Sequence, residues 1–326
     1  MENIMSHFHP KRIAVMMGGW SGERAVSLAS AAPIIDAFKG ADYECCAIDV
    51  TRDLAAWIKQ IQDFNPDIIF MNALHGEWVE DGCMQGILEA LGYPYTGSNV
   101  TASALAMDKS WSRRLFEQAG LPIAQGMTIE VDQPINPTQL THYPYIIKPV
   151  DQGSSLGVEI LHSYEDLLTS LRGWGYGKQA ILERYIPGHE LSVAVLGIQA
   201  IGVIELAPQS GFYSYEAKYT DGKTHHFMPA RISDQTAQSA CQIAVAAVQT
   251  LGVTGVSRVD FRYDDISTSH GQLYLLEVNA LPGMTNLSLV PEIAAHFGMN
   301  FIQLLQWMIQ NPIWPKNNIN APVNAA

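Results

Sequence analysis

Between residues 11 and 76 short apolar runs alternate with stretches of helical spacing, and this pattern restricts the segment to a parallel α/β arrangement. KRIAVMMGG (11–19) reads as a buried strand ending in Gly-Gly. A helix follows from about Gly22 to Lys39, stopped by Gly40. Pro33 falls inside it and predicts a kink or a restart. CCAIDV (45–50) is a second strand, DLAAWIKQIQDF (53–64) a second helix, and PDIIFMNALHG (66–76) a third strand that runs into a loop. Parallel strands need crossovers of this length, usually helical. Residues 18–23 read GGWSGE rather than G-x-G-x-x-G, so a dinucleotide site has little support.

Beyond this unit, Val100, Ala104, Met107, Trp111, Leu115 and Ala119 recur at helical spacing, and Gly120 and Pro122 close the segment, which predicts one helix over 99–119. PYIIKPV (144–150) is a strand, and QAILERYIPGHELSVAVLG (179–197) holds two more around a Pro-Gly turn. The most apolar stretch, SVAVLGIQAIGVIELA (192–207), is interrupted by Gly197, Gln199 and Gly202, so it suits strand, turn and strand rather than a membrane span. A helix over 232–252 starts at Ser233 as N-cap, and strands follow at 255–264 and 272–280. A chain of 326 residues, 48% hydrophobic, has material for more than one core. The closing KNNINAPVNAA is expected to be loose, and no internal repeat is evident.

Net charge is −13 with no basic run, which argues against nucleic acid as a partner. Any anion bound here must be met by local lysines, backbone donors and a metal. Cys45, Cys46, Cys83 and Cys241 form no CxxC, so free thiols in a reducing compartment are expected. The start, MENIMSHFHPKR, lacks an apolar core for secretion; a cytoplasmic protein without membrane contact is expected.

Two segments carry chemistry. KPVDQGSSLG (148–157) sets a lysine at a strand end before a Gly/Ser loop, which can lay N–H groups and hydroxyls against a phosphate. A P-loop lysine would follow the glycines instead. In LLEVNALPGMT (275–285) Glu277 and Asn279 share a strand face, and Arg258 and Asp260 have the same spacing on the preceding strand. Such Asp, Glu and Asn oxygens suit Mg²⁺ or Mn²⁺ on phosphates. The plain alternative is an Arg258–Glu277 salt bridge with Asn279 capping a turn.

Together the Lys-Pro strand end, the Gly-Ser-Ser-x-Gly loop, the R-x-D strand and the L-E-x-N strand resemble the ATP-grasp superfamily. HGEWVEDGCMQGILEALGYPYTGSNVTASALAMDK (75–109), GFYSYEAKYTDGKTHHFMPA (211–230), GVSRVDF (255–261), LLEVNALPGMTNLSLVP (275–291) and GGWSGERAVSL (18–28) narrow the likeness to the D-alanine–D-alanine ligase family, over roughly 11–310. The resemblance implies an N-terminal parallel α/β domain (1–100), then a central (101–183) and a C-terminal (184–326) α+β subdomain that clasp ATP. It implies ATP-dependent joining of two D-alanines through an acyl phosphate, for cell-wall precursors, in a homodimer with two Mg²⁺ or Mn²⁺ ions per site.

By the same resemblance, Lys109, Lys148 and Ser155 meet the phosphates. Glu183 meets the adenine amine, Tyr185 and Ile186 supply hinge backbone, Glu190 takes the ribose hydroxyls, and Phe212 lies on the ring. Asp260, Glu277 and Asn279 are the implied metal ligands. Glu23 and His75 hold the first D-alanine, and Ser154 and Tyr219 link the lid loops to it. Arg258 and the Gly283 N–H form the oxyanion hole; Ser288 and Lys218 hold the second carboxylate, and Leu289 belongs with the substrate-binding residues. The tyrosine of Lys218-Tyr219 resembles the dipeptide-forming type rather than the D-lactate type. Several of these residues have plainer readings, Glu23 as a helix N-terminal acid and Lys109 as a surface lysine.

One departure stands out. The family loop HGxxGEDG reads HGEWVEDG here, with Val79 where glycine is common, which predicts a different backbone path near His75 and Glu80. Two rival functions remain: another ATP-grasp carboxylate ligase, including the depsipeptide type, and a non-catalytic ATP-binding regulator.

Overall fold

The computed structural model describes residues 8–208, 222–268, 271–285 and 288–315. Strands β1 (Arg12–Gly18), β2 (Glu44–Val50) and β3 (Ile68–Phe70) form a parallel sheet in the order β2-β1-β3. The crossovers are α1 (Arg24–Gly40) and α2 (Leu54–Phe64), as the periodicity predicts. Asp53 caps α2 by accepting from Ala56 N at 3.1 Å. Trp57 and Ile61 of α2 are fully buried against Ile48, Val50 and Ile69. Of the kink or restart expected at Pro33, there is no restart: helix α1 is continuous through it. Pro33 faces the large cavity described below, and Ser27 Oγ pins the helix start by donating to Ala73 O at 2.6 Å. Such anchoring lets packing outweigh the lost i→i−4 bond.

Helix α3 (Cys83–Leu91) follows β3. The stretch 99–119 is two helices, α4 (Val100–Met107) and α5 (Lys109–Gln118), separated at Asp108. Asp108 is extended, and its carboxylate accepts from Ser110 N and Trp111 N at 2.9 and 3.1 Å, starting a new helix where spacing alone continues the old one. Lys109 therefore lies in the first turn of α5, its N–H on Val150 O at 2.9 Å.

Strands β4 (Gly126–Glu130), β5 (Tyr145–Pro149), β6 (Glu159–Leu161) and β7 (Gln179–Arg184) form an antiparallel sheet ordered β4-β7-β5-β6, with α6 (Tyr164–Arg172) on one side. A second antiparallel sheet has the order β10-β9-β8-β11-β12. Its members are β8 (His189–Leu196), β9 (Gln199–Pro208), β10 (Thr224–Phe227), β11 (Val256–Asp264) and β12 (Gln272–Asn279). The Pro-Gly link after β7 thus joins strands of different sheets rather than a hairpin. Gly188 sits there at φ +92°, and a Cβ on it would come within 2.1 Å of Tyr263 O, so only glycine fits. Arg262 clamps the link, donating from Nε to Ile186 O at 3.0 Å and from Nη2 to Gly188 O at 2.8 Å.

Helix α7 (Asp234–Leu251), capped by Ser233, covers one face of this second sheet with α4 and α5, burying Ala240, Ala244, Val248 and Phe116. Helices α8 (Leu289–His296) and α9 (Phe301–Gln310) cover the other face and also pack on α1, so that Ile34 and Phe38 share a core with Ile204, Ile293 and Leu305. Helix α9 thereby shares a core with α1. Among the described residues no helix is long and apolar enough to cross a membrane.

One buried carboxylate ties β8, β9 and the start of α7 together. Glu205 accepts from Arg231 Nη2 at 2.7 Å and Nε at 3.0 Å, and it pairs with His189 Nδ1 at 2.8 Å. Burial pushes its carboxyl up, but the bonds from Arg231 and His189 outweigh it and hold the group at about 2. A depressed folded value gives stability that is present above the ordinary glutamate range near 4.5 and is lost as pH falls towards 2. Urea unfolding midpoints should therefore drop between pH 5 and pH 3 in the wild type and fall less steeply in Glu205→Gln. Parallel pH profiles would show that this network does not set acid stability.

Candidate active site

The R-x-D and E-x-N spacings come together as strand partners, Arg258 beside Asn279 and Asp260 beside Glu277. The register shifts after Asp260, so Leu276 has no opposite number, and such a bulge re-aims side chains at a sheet edge. Arg258 does not bridge to Glu277. It forks onto Asp260, from Nε to Oδ1 at 2.9 Å and from Nη2 to Oδ2 at 2.8 Å, and Ser192 Oγ donates to Asp260 Oδ1 at 2.6 Å. Glu277 Oε2 instead lies 3.4 Å from Lys109 Nζ, which also donates to Gln152 O at 2.8 Å. Asn279 caps the turn after β12 by accepting from Leu281 N at 2.9 Å.

Two cavities meet at this point. The larger, about 760 Å³, is lined by Glu23, His75, Glu80, Arg258, Asn279 and Gly283 with Ser288 and Leu289. The smaller, about 100 Å³, is lined by Lys148, Ser155, Glu183, Tyr185, Ile186 and Glu190. Lys109, Gly153, Ser154, Asp260 and Glu277 line both. A molecule spanning the two would pass two lysines, two carboxylates and a Gly/Ser loop, while its apolar part rests on Ile146, Val158 and Leu276.

The loop after β5 takes a path that few side chains tolerate. Ser154 and Ser155 have φ +54° and +59°. The compensation for Ser154 is a charge-assisted bond, its Oγ–H donating to Glu23 Oε1 at 2.6 Å. Glu23 makes no side-chain cap on α1, so its carboxylate serves this loop rather than the helix end. Gly157, at φ +69°, packs so tightly on Tyr176 and Pro149 that a Cβ would come within 2.6 and 2.8 Å of them.

Val79 does not occupy the positive-φ position that the family glycine suggests. Trp78 does, at φ +72°, and Val79 turns inward to 1% exposure in the first domain's core. In this loop Glu80 Oε2 accepts from Gly76 N at 2.7 Å. Burial, and then the charge of Glu23, pushes the Glu80 carboxyl up to about 8, so it is protonated at neutral pH. Burial lowers His75 from its ordinary range while Glu23 opposes this, and the ring is neutral. A Cβ on Gly283 would come within 3.0 Å of Ser288 Oγ and 3.6 Å of His75 Cε1, so the backbone there approaches the cavity closely. Ser288 Oγ accepts from Thr285 N at 2.9 Å.

Phe212, Lys218 and Tyr219 lie outside the described residues. Three side chains at the site escaped the sequence reading: Ser192, Arg262 and Arg113. Arg262 has a signal, because R-x-D-x-R puts it on the same strand face as Arg258 and Asp260. Arg113 has a weaker one, four residues after Lys109 on α5.

A slot lined by lysines and carboxylates under a Gly/Ser loop, opening at a pair of carboxylate-bearing strands onto a larger pocket, gives the chain the make-up of an ATP-grasp ligase. The comparisons with known proteins then narrow the class. The profile described as "D-ala D-ala ligase C-terminus" matches residues 115–310. The chain is 45% identical over 301 residues to a D-alanine–D-alanine ligase of Granulibacter bethesdensis, covering 92% of this chain and 97% of that one. It is 46% identical to the enzyme of that name from Paramagnetospirillum magneticum, over 92% and 98% of the two chains. Among solved structures, the Bacillus anthracis D-alanine–D-alanine ligase complexed with ATP superposes with a TM-score of 0.80 at 28% identity, over 93% and 97% of the chains. The D-Ala:D-Ser ligase VanG of Enterococcus faecalis gives 0.76 at 29% identity, over 92% and 99%. The chain belongs to the D-alanine–D-alanine ligase family.

Proposed function

We propose that the protein uses ATP to join two D-alanines into D-alanyl-D-alanine, for peptidoglycan precursors. The observation that carries this reading is the meeting of the two cavities at Lys109, Asp260 and Glu277, with Ser154 bonded across to Glu23. On this reading phosphate and carboxylate meet at one wall.

ATP lies in the smaller cavity with its phosphates at Lys148, Lys109 and Ser155. Glu183 faces the adenine edge, Tyr185 and Ile186 line the hinge, and Glu190 takes the ribose. The ammonium of the first D-alanine pairs with Glu23 beside neutral His75. A carboxylate oxygen of this D-alanine attacks the γ-phosphorus and the bond to the β-phosphate oxygen breaks, releasing ADP. The deprotonated amine of the second D-alanine then adds to the acyl carbon of the resulting acyl phosphate. Arg258 and the Gly283 N–H stabilise the oxyanion that forms; the C–O bond to phosphate then breaks, the amine nitrogen giving up a proton to the departing phosphate as the peptide is made. Ser288 and Leu289 line the second substrate's side; by the family resemblance Phe212 is assigned to adenine, Tyr219 to the first D-alanine and Lys218 to the second carboxylate. Closing the loop over both pockets excludes water, which would otherwise hydrolyse the acyl phosphate.

Asp260 and Glu277, facing each other across two strands with Asn279 nearby, are hard oxygen donors that fit Mg²⁺ or Mn²⁺. Two such ions per site are proposed, and when bound they neutralise the transferring phosphoryl group. A homodimer, a cytoplasmic location and lobes at 1–100, 101–183 and 184–326 are proposed with the family.

Ser154→Ala removes the hydroxyl that donates to Glu23 and should raise KM for D-alanine about tenfold or more, with a smaller rise for ATP. Equal rises would assign Ser154 to the phosphates alone. Function itself is tested by incubating the protein with ATP, Mg²⁺ and D-alanine, alone or with D-serine or D-lactate, beside an L-alanine control, and weighing the products. D-Alanyl-D-alanine as the main product supports the reading. A preferred mixed product would move the protein to a D-serine or depsipeptide ligase, and ATP binding without any product would make it a regulator.

A further inference from the structure

Lys148 does not stand alone in the smaller cavity. Its Nζ donates to Glu183 Oε1 at 2.5 Å, and Arg113 Nη1 donates to the other oxygen, Oε2, at 2.6 Å. Arg113 Nη2 donates to Ala124 O at 2.7 Å, which fixes the guanidinium plane. All three side chains are at most 10% exposed. Lys148, Glu183 and Ala124 line the cavity, but Arg113 does not. It therefore acts on a bound molecule only through the others.

The charge count gives this arrangement its meaning. Glu183 with Lys148 alone would be a neutral ion pair, and the lysine would be held by its own partner. With Arg113 on the second oxygen the buried trio carries a net positive charge. Glu183 is shared between two cations, and the remaining Lys148 protons can be directed at an anion. We propose that Arg113 is a positioning residue that keeps Lys148 aimed at the nucleotide phosphates by taking up half of Glu183. This rests on the reading of Lys148 as a phosphate contact.

The test compares ligands with and without phosphates on the full chain. Binding of ATP, ADP and adenosine is measured for wild type, Arg113→Met, Arg113→Lys and Lys148→Met. Arg113→Met should weaken ATP and ADP by about ten- to a hundredfold, the range for a bond to a charged group, and leave adenosine binding unchanged. Arg113→Lys, which reaches one acceptor instead of two, should give a smaller loss of the same phosphate-selective kind; it also decides the matter if the methionine variant does not fold. On a Glu183→Gln background, where the shared charge is gone, adding Arg113→Met should cost much less than on wild type. Equal loss of ATP and adenosine would make Arg113 a prop for the cavity wall and overturn the proposal, as would no loss at all. If Lys148→Met itself shows no phosphate-selective loss, the underlying assignment of Lys148 fails instead.

Discussion

Arg258→Ala is expected to lower turnover by about two to three orders of magnitude, the usual cost of one oxyanion-hole donor, while KM for ATP changes little. The asymmetry follows from placement. Arg258 lines the larger cavity and is absent from the wall of the smaller one, so base, ribose and most of the phosphate chain do not meet it. On the proposed reading, the oxyanion that Arg258 stabilises forms only when the amine adds to the acyl carbon. Arg258 also holds Asp260 by its fork, and a purely structural arginine would act through that bond. Arg258→Lys separates the roles, because it keeps the charge but loses the two-pronged geometry. Steady-state kinetics with each substrate varied decides between them. Equal losses in ATP affinity and turnover in both variants would assign Arg258 to support of Asp260.

Glu277→Gln should move the magnesium activation curve to higher concentration by about a hundredfold or more, since even outer-sphere partners of a metal are worth ten- to a hundredfold. The substitution keeps the side chain's shape and removes its charge. Glu277 lines both cavities and lies 3.4 Å from Lys109 Nζ, so its loss also leaves that lysine without its acidic partner. ATP binding in the absence of metal should then tighten slightly, as the freed lysine turns to the phosphates, while binding with magnesium weakens. Titration of ATP with and without Mg²⁺ reads both effects. An unchanged magnesium dependence would remove Glu277 from the metal site.

Much of the parallel α/β unit is legible because β1 and β3 are buried on both faces and its crossovers keep helical period, so Ile13, Ile34, Trp57 and Ile69 announce the core. The metal-side strands are legible for a related reason. Period-two alternation puts Arg258 with Asp260, and Glu277 with Asn279, on one face, and the register then pairs them. The helix break at Asp108 is obscured because the apolar spacing continues through it and only the capping carboxylate marks a new start. Strand β4 escapes because it is largely exposed, with only Ile129 buried. The partnership of Arg113 with Glu183 joins residues 70 apart, and no local spacing encodes such a pair. The loop around Val79 is a finer case. Val79, unsuited to positive φ, stays out of that region, and the unusual angle falls on its neighbour Trp78.

The central claim is activation of one D-alanine carboxylate by ATP followed by capture by the amine of the other. It is tested most directly with D-alanine carrying ¹⁸O in its carboxylate, incubated with the protein, unlabelled ATP and Mg²⁺. The account predicts D-alanyl-D-alanine together with inorganic phosphate bearing one heavy oxygen from the substrate, because the oxygen that attacks phosphorus leaves with it when the amide forms. Dipeptide with unlabelled phosphate, or labelled D-alanine recovered unchanged beside intact ATP, would contradict it.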